Sequence, residues 1–249
     1  MMEHPPRTVT DAQRMTDDPL SRLEIERREA GVARHRLHQQ LEELDDQLIA
    51  MMRELAGRVQ PATAAFLEAD HHAAASLIDA DAELTRRCTE LEETGYLLLA
   101  TQSPVATDLR RIIAVLRSVT DVQRTGNLLT HVVESLSWVH PPSLPRELRS
   151  TIEQLGSVTG TMLDNAVTAW VNHDALAAED LERQDDQADL LQKMMLSELY
   201  TGSQSIEESV SLGLIARYYE RAADHAVELT RHLTFFLTGD RLSDRTDTD

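Results

Sequence analysis

VQPATAAFLEADHHAAASLIDAD, residues 59–81, and LDNAVTAWVNHDALAAEDLERQD, residues 163–185, decide the fold. At a shift of 104 residues Val59 meets Leu163, Phe66 meets Trp170, Asp70 meets Asp174, Ala73 meets Ala177, Ala74 meets Ala178, Leu77 meets Leu181 and Asp81 meets Asp185. Further on the shift falls to 97, where Ile113 meets Val210, Arg124 meets Arg221, Val132 meets Leu229 and Leu136 meets Leu233. The difference of seven is two helical turns, or a shortened loop plus trimmed helix ends. Any two amphipathic helices match at some offset, but periodicity alone does not produce polar coincidences such as Asp81 with Asp185 and Arg124 with Arg221. The chain therefore reads as a duplication: an all-α protein of two tandem three-helix bundles.

Working outward, the composition agrees. The 249 residues include only 9 Gly and 8 Pro, and 4% are aromatic. Leu, Ala, Glu, Gln and Arg, all strong helix formers, are frequent. Leu41, Leu44, Leu48, Met51, Leu55 and Val59 step by three and four along one helical face, with Gly57 and Pro61 bending this first helix rather than ending it. A second helix is expected from Asp70, with the stripe Ala73, Leu77, Asp81, Leu84, Cys88 and Leu91. A turn follows at Thr101–Pro104, with Ser103 as N-cap and Pro104 at the first position of a third helix that runs to Trp138. His140–Pro145 is the clearest linker. The expected organisation is a disordered arm over 1–20, a first bundle over 21–139, a linker over 140–146, a second bundle over 147–239 and a charged tail over 240–249.

Charge and cysteine count exclude several function classes. A net charge of −19 opposes nucleic-acid binding, which demands a positive footprint. No run of apolar residues suits a membrane span, and residues 1–18 have no apolar core of the kind a secretory signal needs. The single cysteine, Cys88, excludes an intramolecular disulfide and a cysteine-based zinc site, and points to a reducing cytosol.

The sharpest chemical feature is carboxylates at core-facing helical positions. Asp81 lies on the Leu77–Leu84 stripe; Asp185 lies on the stripe of Leu181 and Ala188, with Asp189 one turn further. Glu220 and Asp224 are spaced i, i+4 beside a seam of Leu212, Ile215, Tyr219, Ala222, Ala226, Leu229, Leu233 and Phe236. A buried carboxylate needs a proton, an arginine or a metal, and oxygen donors suit Mg, Mn, Ca or iron. The competing reading is that such acids are solvated or paired with arginine. Residues 174–189 carry seven acids against Arg183 alone, an acidic helix end that is either solvated or a functional face. Glu68-x-x-His71 is a single copy of a motif that di-iron bundles need twice, which places His71 and His72 at a helix start on the surface and argues against a ferritin-like oxidase.

Two stretches carry a family resemblance. LLATQSPVATDLR, residues 98–110, and ARYYERAADHAVE, residues 216–228, resemble the signatures of the PhoU phosphate-regulon family, especially its actinobacterial form. The resemblance covers about residues 36–239. It implies two three-helix bundles with pseudo-twofold symmetry, and a cytoplasmic, non-enzymatic negative regulator of phosphate uptake and phosphate-starvation signalling. The implied partners are the ATPase of the phosphate ABC transporter and a PhoR-type sensor histidine kinase. It also implies multinuclear iron or another divalent cation on an acid-x-x-x-Asp motif in each bundle.

Carried over residue by residue, Glu220 and Asp224 match that motif, and Asp81, Asp121, Asp185 and Asp189 match other family acids. In the first bundle the motif acids fall at Gln123 and Asn127. An amide is a weaker ligand than a carboxylate, so any cation is expected in the second bundle. Arg110, Arg124 and Arg221 are candidates for partner contact, the alternative for Arg110 being an ion pair with Asp108 or another acid. Two further function classes stay open: a carboxylate-bridged iron bundle with a redox or storage role, and a purely structural scaffold. A homodimer stays open too.

Overall fold

The computed structural model describes residues 19–240. The expected arm lies outside the described residues up to residue 18, with helix beginning at Pro19; the expected tail lies outside them beyond Asp240. Among the described residues the chain forms α1 (Pro19–Glu68), α2 (His71–Gln102), α3 (Ala106–Glu134), α4 (Arg146–Asn172), α5 (Ala177–Thr201) and α6 (Ile206–Thr238), with 3-10 turns at Ser135–Ser137 and Pro141–Ser143. Its contacts divide the chain into two units between Glu43 and Leu44. Within the first, Gln39 donates to Glu43 one turn on, at 3.1 Å. The second holds the rest of α1 and helices α2–α6.

In that second unit the helices bury most of the stripes their sequence marks, although Ala73 and Leu77 of α2 and Asp185 of α5 are only half-buried. Leu44, Leu48, Met51, Leu55 and Val59 of α1 are fully buried, as are Leu84, Cys88 and Leu91 of α2. On α6 the seam from Leu212 to Phe236 is buried throughout. Large side chains sequestered in this way contribute about 1.5–3 kcal/mol each. α1 continues past Pro61, as expected, rather than ending there. That proline and Gly57, whose carbonyl it leaves without a helical partner, both lie on the exposed face, where water satisfies the freed group.

Within the second unit the two bundles are α1 from Leu44 onward with α2 and α3, and α4–α6. α2 packs on α3; α5 packs on α4 and α6; α3 lies along α6 where the bundles meet. α1 joins the same centre: Thr63 Oγ1 and the Tyr219 hydroxyl are 2.7 Å apart, and Gly156 of α4 gives Thr63 room that a Cβ would fill. The repeat shows in the largest side chains. Phe66 and Trp170, equivalent by the shift of 104, are both fully buried, and Trp170 Nε1 donates to the Leu229 carbonyl at 2.9 Å.

Two helix ends depart from the sequence expectation and one departs from the internal repeat. α2 begins where expected, and Asp70 caps it, accepting from the backbone N–H of His72 and Ala73 at 3.0 and 2.9 Å. Its equivalent Asp174 instead accepts from Leu176 N at 2.9 Å in a tight turn, and α5 begins only at Ala177. Ser103 is not the N-cap of α3. It closes α2 in a left-handed conformation (φ 45°), Ala106 is left-handed again (φ 49°), and α3 starts after Val105. The reversal uses these two residues, so no side chain is left in a capping geometry. α3 also stops at Glu134 rather than Trp138, because the 3-10 turn Ser135–Ser137 begins the approach to the linker and leaves Trp138 exposed.

Candidate functional site

On the second bundle, α5 presents Asp185 and Asp189 and α6 presents Glu220 and Asp224, each pair one turn apart. Glu220 is buried; Asp185, Asp189 and Asp224 are half-buried. Burial, followed by the charges of Asp224, Asp189, Glu220 and Asp186, pushes the Asp185 carboxyl up to about 7. Burial and neighbouring acids also raise Glu220 and Asp224, against the pull of Arg217 and Arg221. Glu220 Oε1 pairs with Arg217, Asp224 with Arg221 at 3.0 Å, and Asp189 with Lys193 at 3.5 Å. Asp185 Oδ1 and Glu220 Oε2 are buried without a hydrogen-bond partner.

These four carboxylates suit a hard cation chemically, and the two orphaned oxygens are the kind of atom a cation would satisfy. Among the described residues, however, no three His, Cys, Asp or Glu side chains already converge as a ligand set. Glu220 and Asp224 are turned instead to the arginines one turn away.

The first bundle is built differently at the equivalent place. Asp81 is buried on α2, and burial raises its carboxyl against the opposing effects of Arg58 and Thr130. Arg58 Nη1 stands 3.8 Å from Asp81 Oδ1, while its Nη2 donates to the Ala80 carbonyl at 2.9 Å. Gly126 is required beside them, since a Cβ there would overlap Asp81 Oδ1. The space left among Arg58, Asp81, Gly126 and Thr130 is about 10 Å³.

Asp121 joins neither acid group. It sits on α3, facing α6, with Oδ1 3.0 Å from His225 Nδ1 and Oδ2 2.9 Å from His232 Nε2. Burial alone would raise its carboxyl; the two imidazoles outweigh that and hold it below the usual range. It is a clamp between the bundles. Beside it opens a cavity of about 540 Å³, lined by Asp121 and Arg124 of α3, Asp185 of α5, and Arg221, Asp224 and His232 of α6 among others. The structure thus brings together Asp121, Arg124, Asp185, Arg221 and Asp224. Asp189 and Glu220 lie next to them electrostatically, and Asp81 lies apart.

Arg110 is engaged within the fold, its Nε donating to the Phe236 carbonyl at 3.2 Å in the last turn of α6. Its neighbour Arg111 pairs with Asp45 at 2.7 Å and lies over the Phe236 ring. Arg124 is exposed at the cavity, and Arg221 is committed to Asp224. His71 and His72 are exposed at the start of α2, as the sequence suggested. The residues that sequence reasoning missed are Arg58, His225 and His232. A comparison at the shift of 104, which sets Arg58 against Met162, carries the signal for the first; His225 stands within the signature stretch 216–228, and nothing local marks His232.

Fold and site together define a class: duplicated three-helix-bundle proteins with an acidic cluster between the second and third helices of one copy. The PhoU domain model matches residues 48–136 and 152–232. The phosphate-specific transport system accessory protein PhoU homolog 2 of Mycobacterium tuberculosis is 33% identical over 205 residues, 81% of this chain and 96% of the relative. The PhoU homolog 1 of the same organism is 34% identical over 206 residues, 81% of this chain and 93% of its own length. Crystal structures of PhoU from Pseudomonas aeruginosa and of the phosphate transport system regulatory protein PhoU from Streptococcus pneumoniae both superimpose with a TM-score of 0.76. They are 25% and 22% identical, cover 82% and 83% of this chain, and are themselves each covered to 99%. The chain belongs to the PhoU family.

Proposed function

We propose that this protein is a cytoplasmic, non-enzymatic negative regulator of phosphate uptake and phosphate-starvation signalling, acting as an adaptor between the ATPase of a phosphate ABC transporter and a sensor histidine kinase. The observation that carries this reading is the extent of the relationship. The match spans 96% and 93% of two mycobacterial proteins named as accessory to the phosphate-specific transport system, so the likeness is to whole accessory proteins rather than to a shared module. Long, rigid helical faces suit docking of partners. No helix among the described residues is long and apolar enough to cross a membrane. Deletion of the chain is expected to raise phosphate uptake and starvation-gene expression in phosphate-rich medium. Unchanged uptake and expression in the deletion strain contradict the proposal.

Asp185, Asp189, Glu220 and Asp224 would hold the cation of this regulator, iron or another divalent ion. Supporting this are the orphaned Asp185 Oδ1 and Glu220 Oε2 and four mutually repelling carboxylates whose charge a cation would offset. Metal analysis of protein purified without chelator is expected to show less metal in Asp224→Ala than in wild type; equal metal counts against this site.

A further inference from the structure

The duplication gives each bundle a position for the same four side chains, and the chain fills them unequally. Shifts of 104 and 97 set Asp81 against Asp185, Thr85 against Asp189, Gln123 against Glu220 and Asn127 against Asp224. Three of the four carboxylates of the second bundle thus have neutral counterparts in the first. A fifth position changes in the opposite direction: where α4 has the fully buried Met162, α1 has Arg58.

Arg58 does not simply pass over Asp81. Its guanidinium is held by Glu54 one turn earlier and by the Ala80 carbonyl at 2.9 Å, which leave Nη1 3.8 Å from Asp81 Oδ1, an ionic contact without a hydrogen bond. The Arg58 and Asp81 side chains are each only 11% exposed. The space left around them, about 10 Å³, is at or below what a single water needs, so it has no place for a hydrated ion. The second bundle has no basic residue at the equivalent of Arg58, and Asp185 and Asp224 border the cavity of about 540 Å³.

We infer that Arg58 is the resident cation of the first bundle, holding Asp81 in the place that the second bundle leaves to a bound divalent ion, so that only one half of the duplicated fold can be loaded and unloaded. This rests on the cation reading of the second bundle given above. A guanidinium keeps its charge at any physiological pH and cannot dissociate, so the first bundle has one permanent state and the second has two. Loading of the second bundle would then be read against a fixed reference.

The test uses the full-length protein, with manganous ion as probe and bound manganese per chain as readout. Wild type is expected to bind manganese, and Glu220→Gln with Asp224→Asn, which copies the amides of the first bundle, is expected to abolish binding. Adding Gln123→Glu and Asn127→Asp to that background is expected to restore nothing while Arg58 is present, and to restore binding once Arg58→Met is added. Manganese retained after the first pair of changes overturns the inference. So does equal binding with and without Arg58 in the final pair of variants.

A thermal cycle separates this inference from the cation reading itself. Arg58→Met is expected to lower Tm by about 5 °C in the wild-type chain, because Asp81 loses its counter-charge, and by about half as much when Asp81 is already Asn, where only the contacts to Glu54 and the Ala80 carbonyl are lost. Equal losses in both backgrounds overturn the role given to Arg58. Failure of wild type to bind manganese, together with an unequal cycle, overturns the cation reading and leaves Arg58 as the partner of Asp81.

Discussion

Asp81 and Asp185 stand at the same point of two copies of one fold, and they are neutralised by different means. Asp81 has Arg58 beside it and almost no free space. Both carry a buried oxygen without a hydrogen-bond partner, but Asp185 has four acids for neighbours on its own and the facing helix, no arginine in the place of Arg58, and an open cavity in front. The scaffold around them is conserved in kind, with Phe66 and Trp170 buried at equivalent positions. The comparison teaches that a duplicated core tolerates little change while the polar sites it carries can diverge through a few substitutions. It also shows that a buried acid is compensated in either case, by a covalently attached charge in one half and by protons or a bound ion in the other.

The largest expected effect tests whether the halves are equally necessary. Phe66→Ala and Trp170→Ala should each cost about 3–5 kcal/mol in urea unfolding, with one cooperative transition in both. A variant that melts one bundle while the other persists would break the picture of two bundles joined through α3 and α6.

The next comparison sets two aspartates of opposite sign. Asp121 is held below the usual carboxylate range, so its contribution is present at neutral pH and is lost as pH falls through that lowered value. Asp121→Asn should cost about 1.5–3 kcal/mol at pH 7 and progressively less in acid. Asp185 is raised from 3.8 to about 7, so the folded state binds its proton more tightly, and the associated stability is present below about pH 4 and lost as pH rises to about 7. Asp185→Asn should remove that decline. Urea midpoints measured from about pH 2 to 8 check both, and parallel profiles for the two variants would contradict the assignment.

Smaller effects sharpen the comparison locally. Gly126→Ala imports the residue of the second bundle, Ala223, into the first. The new Cβ meets Asp81 Oδ1, and the expected cost is about 1–2 kcal/mol by thermal unfolding. The same change in a chain already carrying Asp81→Ala should be close to neutral. Smallest of all, Ala106→Gly should stabilise by about 0.5–1 kcal/mol, since φ is 49° at a residue with a side chain; a loss of stability would show that the left-handed turn before α3 is misplaced.

Much of the fold was legible because apolar residues repeat locally with the helical period. The stripe from Leu44 to Val59, the cap at Asp70 and the equivalence of Asp81 with Asp185 need only nearby residues and one internal shift. The end of α2 at the expected turn was legible, but the start of α3 was not, because Ser103-Pro104 is a good helix-start signal locally, and the left-handed backbone at Ser103 and Ala106 is imposed by the reversal between two packed helices.

The site was half legible. Glu220 and Asp224 share one helix, so their spacing shows that they lie together. Asp121 was grouped with them by the family resemblance, but the groups that decide its behaviour, His225 and His232, lie 104 and 111 residues away on α6. Arg58 precedes the buried Val59 by one residue and belongs to a part-exposed face of α1; only the packing of α2 shows that this face carries the partner of Asp81.

The most direct measurement is an anomalous difference map from a crystal of the full chain soaked in manganous ion. The account predicts one peak per chain, among Asp185, Asp189, Glu220 and Asp224, and bare guanidinium density of Arg58 beside Asp81. A peak at Asp81, alone or together with one in the second bundle, would contradict it.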